Sequence, residues 1–239
     1  LDTKKKYSKT VFVETEMNFI YMRMIHEVIK NNPNVLFIGF YPNKFFFKLK
    51  EFILIVPFIY RLLDYKRAYN RNKKLYNSIG VSKVYKIEDL SLIRRFKNLL
   101  YAFKCLVNIK SNDSLFKLKI SNIIVGDIIY DSYLRFHNTP TFKNKSYLAF
   151  IFYLTRLLNN FNLIENINKE FSFDSAFAIY ASYVSHGSIV RWFSNNNIEN
   201  FTSATDQKLF KKQHKDFPFE NLDHRMYRKD FLKLKNKNI

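Results

Sequence analysis

The sequence predicts an α/β protein with a Rossmann-like, open, mostly parallel sheet flanked by helices. Three observations lead there. Lys9–Val13, Phe19–Lys30 and Val35–Phe40 read as strand, helix and strand with short links, which makes a βαβ unit and a parallel pair. Further β-prone runs, Val81–Ile87, Ser175–Ala181 and Ile198–Ser203, alternate with longer stretches of helical periodicity. Hydrophobic residues make up 47% of the 239 and aromatics 18%, which excludes a disordered chain and supplies a sizeable core.

Each element has a local reason. Lys9–Val13 is a short β-prone run. Thr15 and Asn18 punctuate the start of the first helix, whose apolar positions Phe19, Met22, Ile25 and Ile29 follow a helical period. His26 falls among them and reads as a packed core histidine. Asn31–Asn34, with Pro33, breaks the chain before the strand Val35–Phe40. From Lys44 to Asn77 the pattern is helical, aromatic and basic. Within it Phe45–Tyr60 is apolar nearly all round, so it is either a buried helix or one lying in a membrane interface. Gly80 terminates that helix ahead of Val81–Ile87. Asp89 or Ser91 caps Leu92–Val107, whose stripe Ile93, Phe96, Leu99, Leu100, Phe103, Leu106 and Val107 is the expected core face. Cys105 on that helix is an inert small residue. Leu115–Ile120 reads as a short helix, Ser146–Asn168 as a long one, and 205–239 as a basic helix or linker following a domain at 1–204.

The charge balance narrows the partners. Forty Lys+Arg stand against twenty Asp+Glu, a formal +20, which reflects either an anionic partner (nucleic acid, phospholipid headgroups or phosphorylated small molecules) or A/T-rich codon usage that raises lysine along with Asn, Ile, Phe and Tyr. The basic residues are spread along the whole chain, and no groove-reading motif or aromatic ribonucleoprotein pattern appears, so nucleic acid is disfavoured. One cysteine excludes an intramolecular disulfide, and no His/Cys/Asp spacing marks a metal site, so none is expected. No stretch of about 18 apolar residues is available to span a bilayer, and the expected location is cytoplasmic, either free or peripheral at the inner face of the plasma membrane.

Two blocks carry the candidate chemistry. In Ile123–Arg135, I-I-V-G-D-I-I-Y-D-S-Y-L-R, an apolar run ends on Gly126, and Asp127, Asp131 and Arg135 follow at intervals of four on one helical face. This is either one wall of a polar cleft or an N-cap at Asp127 with an ion pair from Asp131 to Arg135. In the second block, S-Y-V-S-H-G-S precedes a helix holding Arg191 and Trp192. A strand, a glycine turn and a helix start can bind an anion, with Arg191 as a planar donor and His186 as acid or base at the mouth. The plainer alternative is a tight turn at Gly187 with Arg191 lying along the helix flank.

V-G-D-I-I-Y-D-S-Y-L-R with a following P-T loop, and Y-x-x-x-G-x-x-x-R after a strand, resemble bacterial surface carbohydrate (capsule or O-antigen) biosynthesis proteins. These look like glycosyltransferases of the two-Rossmann-domain (GT-B) type. The resemblance implies an N-terminal, acceptor-side domain whose donor-binding second domain is missing. It also implies transfer from a nucleotide sugar, with no other cofactor, to a glycan or glycolipid. In that scheme Asp127, Asp131, Arg135 and His186 are catalytic, and Tyr130, Tyr133, Tyr183, Gly187, Ser188 and Arg191 bind substrate. A histidine is expected three residues before Tyr183, where this chain has Tyr180. The rival expectation is a non-catalytic module that binds a membrane surface or a protein partner.

Overall fold

The computed structural model describes residues 7–16, 18–42, 55–109, 111–137, 147–203 and 210–213. The N-terminal part follows the expected βαβ order: β1 (Lys9–Glu14), α1 (Phe19–Lys30), β2 (Val35–Tyr41), α2 (Ile55–Ser78) and β3 (Lys83–Lys86). Asn18 starts α1 by accepting a hydrogen bond from the Tyr21 amide at 3.1 Å, and Gly80, at φ +107°, ends the α2 connection as only glycine does readily. Next come α3 (Leu92–Val107), the short α4 (Asn112–Phe116), a hairpin of β4 (Lys119–Ile120) with β5 (Ile123–Ile124), α5 (Gly126–His137) and α6 (Tyr147–Phe171). The chain closes through β6 (Ser175–Ala178), a π-helical turn (Tyr183–Gly187), α7 (Ser188–Asn195), β7 (Glu199–Ser203) and β8 (Phe210–Lys212).

The main sheet runs β3-β2-β1-β6-β7-β8. Its first five strands are parallel and β8 is antiparallel to β7. This is the Rossmann-like sheet predicted. Side chains alternate along β1: Val11 and Val13 enter one apolar cluster with α1 and α2, and Phe12 enters the other with α3, α5, α6 and α7. Helices therefore cover both faces, as a parallel sheet requires.

Four expectations change. Lys119–Ile120 is a strand and the helix before it lies at Asn112–Phe116. Phe210–Lys212, expected within a helix or linker, is an edge strand. Lys212 forms an ion pair with Glu199 of β7, and Gln213 Nε2 donates to Thr202 Oγ1 at 2.5 Å. His26 is exposed, because α1 buries Tyr21 and Ile25 instead. On α3 the inward residues are Asn98, Ala102 and Cys105, and most of the predicted apolar stripe faces outward. Cys105 is buried, and burial raises its thiol pKa, in keeping with an inert role. Of Phe45–Tyr60, residues 45–54 lie outside the described residues, as does the Pro140–Thr141 loop.

Candidate functional site

β1 sits between β2 and β6, and the connections on its two sides run over opposite faces of the sheet. That makes the C-terminal ends of β1 and β6 the topological switch point, where open α/β sheets leave a crevice for ligands. The chain brings a group of ionisable side chains to it. Glu14, the last residue of β1, is fully buried. Its Oε2 accepts the Ile179 amide just beyond β6 at 2.9 Å, and its Oε1 bonds Nδ1 of His186. The other imidazole nitrogen, Nε2, faces Glu16 Oε2 at 3.6 Å. Tyr180 meets the imidazole ring edge-on at 5.4 Å.

Surrounding helices fix these groups. Tyr76 of α2 donates its hydroxyl to the Glu16 carbonyl at 2.8 Å and accepts the Glu16 amide at 3.3 Å, clamping the backbone as β1 ends. Burial, with the Glu14 charge adding to it, pushes the Tyr76 pKa far above the ordinary phenol value, so it works as a neutral clamp. Arg156 of α6 is buried in the same neighbourhood. Burial pulls its pKa down to about 10, while Tyr153, Tyr65, Glu14 and Tyr41 act in the opposite direction. Burial holds the Tyr153 hydroxyl up at about 12.

Two carboxylates and one guanidinium leave a net −1 when His186 is neutral and zero when it is protonated. A cationic ligand would balance the second carboxylate there. Glu14, Glu16 and His186 each offer a ligand atom within 4.8 Å of the others, so they could hold a metal ion. Both imidazole nitrogens face carboxylate oxygens, Nδ1 in contact with Glu14 and Nε2 at 3.6 Å from Glu16, longer than a hydrogen bond.

The π-helical turn delivers His186. The Gly187 amide donates to the Ser182 carbonyl five residues back at 3.2 Å, and Tyr183 takes a left-handed φ of 60°. Ser132 Oγ of α5 accepts the Val184 amide at 2.8 Å, and Asn160 of α6 donates to Ser188 Oγ at 2.8 Å. Gly187 is required by proximity: a Cβ there would lie 2.6 Å from the Ala181 carbonyl oxygen and 3.1 Å from the Ile128 side chain.

The two blocks singled out in the sequence meet, though not as two walls around a ligand. Arg191 donates to both oxygens of Asp127, with Nη1 to Oδ1 at 2.6 Å, and Nη1 also donates to the Ile124 carbonyl. The carboxylate ties α7 to the start of α5, so Arg191 is engaged by protein and Asp127 is an ion-pair partner rather than an N-cap. Asp131 and Arg135 lie exposed on α5, and no ion pair joins them among the described residues. Although its surface is exposed, partial desolvation by the packed atoms around it and then the neighbouring Asp127 push the Asp131 carboxyl pKa up, while Arg191 pulls it down. Tyr133 is in the core, Tyr130 packs on Phe116 at 4.9 Å, and Ser188 is buried in its bond to Asn160. Among the expected site residues, His186 is the one in the switch-point group. Glu14, Glu16, Tyr76 and Arg156 were not anticipated. The available signal was a pair of acids, Glu14 and Glu16, directly after a buried strand.

No family model and no curated protein matches the sequence. Solved structures do. A CDPS (cyclodipeptide synthase) from Fluoribacter dumoffii superposes with a TM-score of 0.50 at 10% identity, over 88% of this chain and 93% of that one. The fold resembles that of a CDPS. The match corrects the glycosyltransferase expectation, and with it the capsule, O-antigen and GT-B assignment and the nucleotide-sugar and glycan partners. The residues behind that resemblance are accounted for otherwise: Asp127 and Arg191 clamp helices, and Gly187 serves packing.

Proposed function

We propose that this chain condenses two activated aminoacyl groups, the reaction class named by its structural neighbour, and that these arrive as esters on tRNA. The observation carrying the proposal is the Glu14–His186–Glu16 group at the switch point, with Glu14 and His186 buried and Glu16 partly exposed. An α-ammonium must be held and then lose a proton before it can attack an ester. A site that accepts one positive charge and shares it with an imidazole is suited to both tasks. The freed amine attacks the ester carbonyl of the second aminoacyl group. A C–N bond forms, the C–O bond to the carrier breaks, and the proton held on His186 passes to the departing ribose oxygen. The attacking nitrogen gives its remaining surplus proton to the imidazole so vacated, from which it is released to solvent. Repetition within the dipeptidyl ester closes the ring.

RNA replaces the nucleotide sugar as the proposed partner, reversing the expectation from the sequence that disfavoured nucleic acid. The formal +20 charge is compatible with such a carrier, and the structural neighbour supplies the reason for it. Arg156 neutralises part of the carboxylate charge and sets the balance at a single cation. The test incubates the full chain with a pool of charged tRNAs and reads cyclic dipeptides by mass spectrometry. Glu14→Gln and His186→Asn should lower the rate at least about 100-fold, in the range of general acid–base contributions, with the fold intact by circular dichroism. Absence of product from every charged tRNA, or full activity in either variant, would overturn the assignment.

A further inference from the structure

We infer that the outward face of α3 is a docking surface for an anionic lipid bilayer. The inference is independent of the chemistry at the switch point. Leu92, Phe96, Leu100, Phe103 and Val107 recur at spacings of three and four along one line of α3, with Ile93 beside them. These six side chains are between 46% and 77% exposed. The opposite face carries the polar Asn98, which donates to Asn159 at 2.8 Å and accepts from Asn162 at 2.9 Å. The helix therefore packs inward through this amide network, the small Ala102 and Cys105 and the partly buried Leu99 and Leu106, while most of its large aliphatic and aromatic residues face solvent.

The identity of the occupant follows from charge and side-chain type. The α3 sequence, L-I-R-R-F-K-N-L-L-Y-A-F-K-C-L-V, contains four basic residues and no acidic one. Arg94, Lys97 and Lys104 are exposed, and the lysines flank the apolar line. Basic side chains at the border of an apolar strip match the headgroup and acyl levels of a leaflet, where apolar area and anionic lipid act together. A second copy would set two such basic helices, on two chains of formal charge +20, against each other. RNA would engage the Arg and Lys and stack on the aromatics, leaving Leu92, Ile93, Leu100 and Val107 without a role.

Flotation of the full chain with vesicles tests the inference. Phosphatidylcholine vesicles containing about 30% phosphatidylglycerol should carry the protein, pure phosphatidylcholine should carry far less, and raised salt should weaken the binding. Phe96→Ser with Leu100→Ser should cut partitioning onto anionic vesicles at least tenfold. Leu92→Ser with Val107→Ser, at the two ends of the same line, should act in the same direction, and circular dichroism should match the parent for both. The inference fails if the protein does not float, or if both double variants float like the parent, which would mean lysine adsorption alone. It fails equally if both leave flotation unchanged while abolishing self-association or RNA retention.

Discussion

Replacing Asp127 by Asn tests whether the most conspicuous acidic stripe in the sequence is structural. The Arg191 side chain is 2% exposed and that of Asp127 26%. Asn retains one acceptor oxygen but turns an amide NH2 toward the guanidinium, leaving a buried cation with one weak partner and the Ile124 carbonyl. Removing one member of a buried pair costs about 3–5 kcal/mol, and the partial exposure of Asp127 brings the expected loss to roughly 2–4 kcal/mol. Urea denaturation followed by far-UV circular dichroism reads this directly. A cycle with Arg191→Met isolates the pair: the double variant should lose clearly less than the sum of the two single losses. A loss under about 1 kcal/mol, or strict additivity, would refute the clamp. Intact stability with lost activity would return Asp127 to the role its sequence position first implied.

Arg156→Met should stabilise the protein while impairing condensation. A pKa held at about 10 instead of 12.5 corresponds to about 3 kcal/mol of penalty on the cation, so an isosteric apolar residue should gain roughly 1–3 kcal/mol in denaturation. That penalty is complete below pH 10 and fades as pH rises through 10 toward 12.5, so the gain should be constant across neutral pH. Asp131→Asn carries a pH signature of opposite sense. Its raised carboxyl pKa means that ionisation costs stability, so the variant should be slightly the more stable at pH 7, by under about 0.5 kcal/mol given its exposure. The difference should vanish as pH falls through the carboxylate range, and a thermal-melt series over that range checks it.

Much of the fold was legible because buried parallel strands and their helices leave strong periodic marks. β1, α1 and β2 follow from apolar spacing and from Pro33, and the Gly80 stop is a backbone requirement visible in one letter. The site was less legible because it depends on residues far apart. His186 meets Glu14 across 172 residues, and the pair Glu14 and Glu16 at the end of a buried strand, the one local sign, reads equally well as ordinary acids ahead of a helix. The outward face of α3 was misread for a related reason. Periodicity reports that a helix has an apolar side but not which way it points, and the Asn98–Asn159–Asn162 network reversed the usual answer. Arg191 fits an anion-binding pattern equally well whether its partner is a ligand or Asp127, and only the tertiary contact separates the two.

The five-residue turn at Tyr183–Gly187 has a consequence for how this chain tolerates length change. A π-helical turn holds one residue more than the α-helical turn it interrupts, so it is equivalent to a single inserted residue. Removing Ser185 would allow the segment to relax into ordinary α geometry continuous with α7, leaving Arg191 in phase with Asp127. The residues upstream of the deletion, Tyr183 and Val184, would swing by about 100° around the axis relative to α7, taking the Val184 amide off Ser132 Oγ. One codon therefore separates two joints between the same pair of elements: the Arg191–Asp127 tie between α7 and α5 survives its loss, and the anchor of the turn on Ser132 does not.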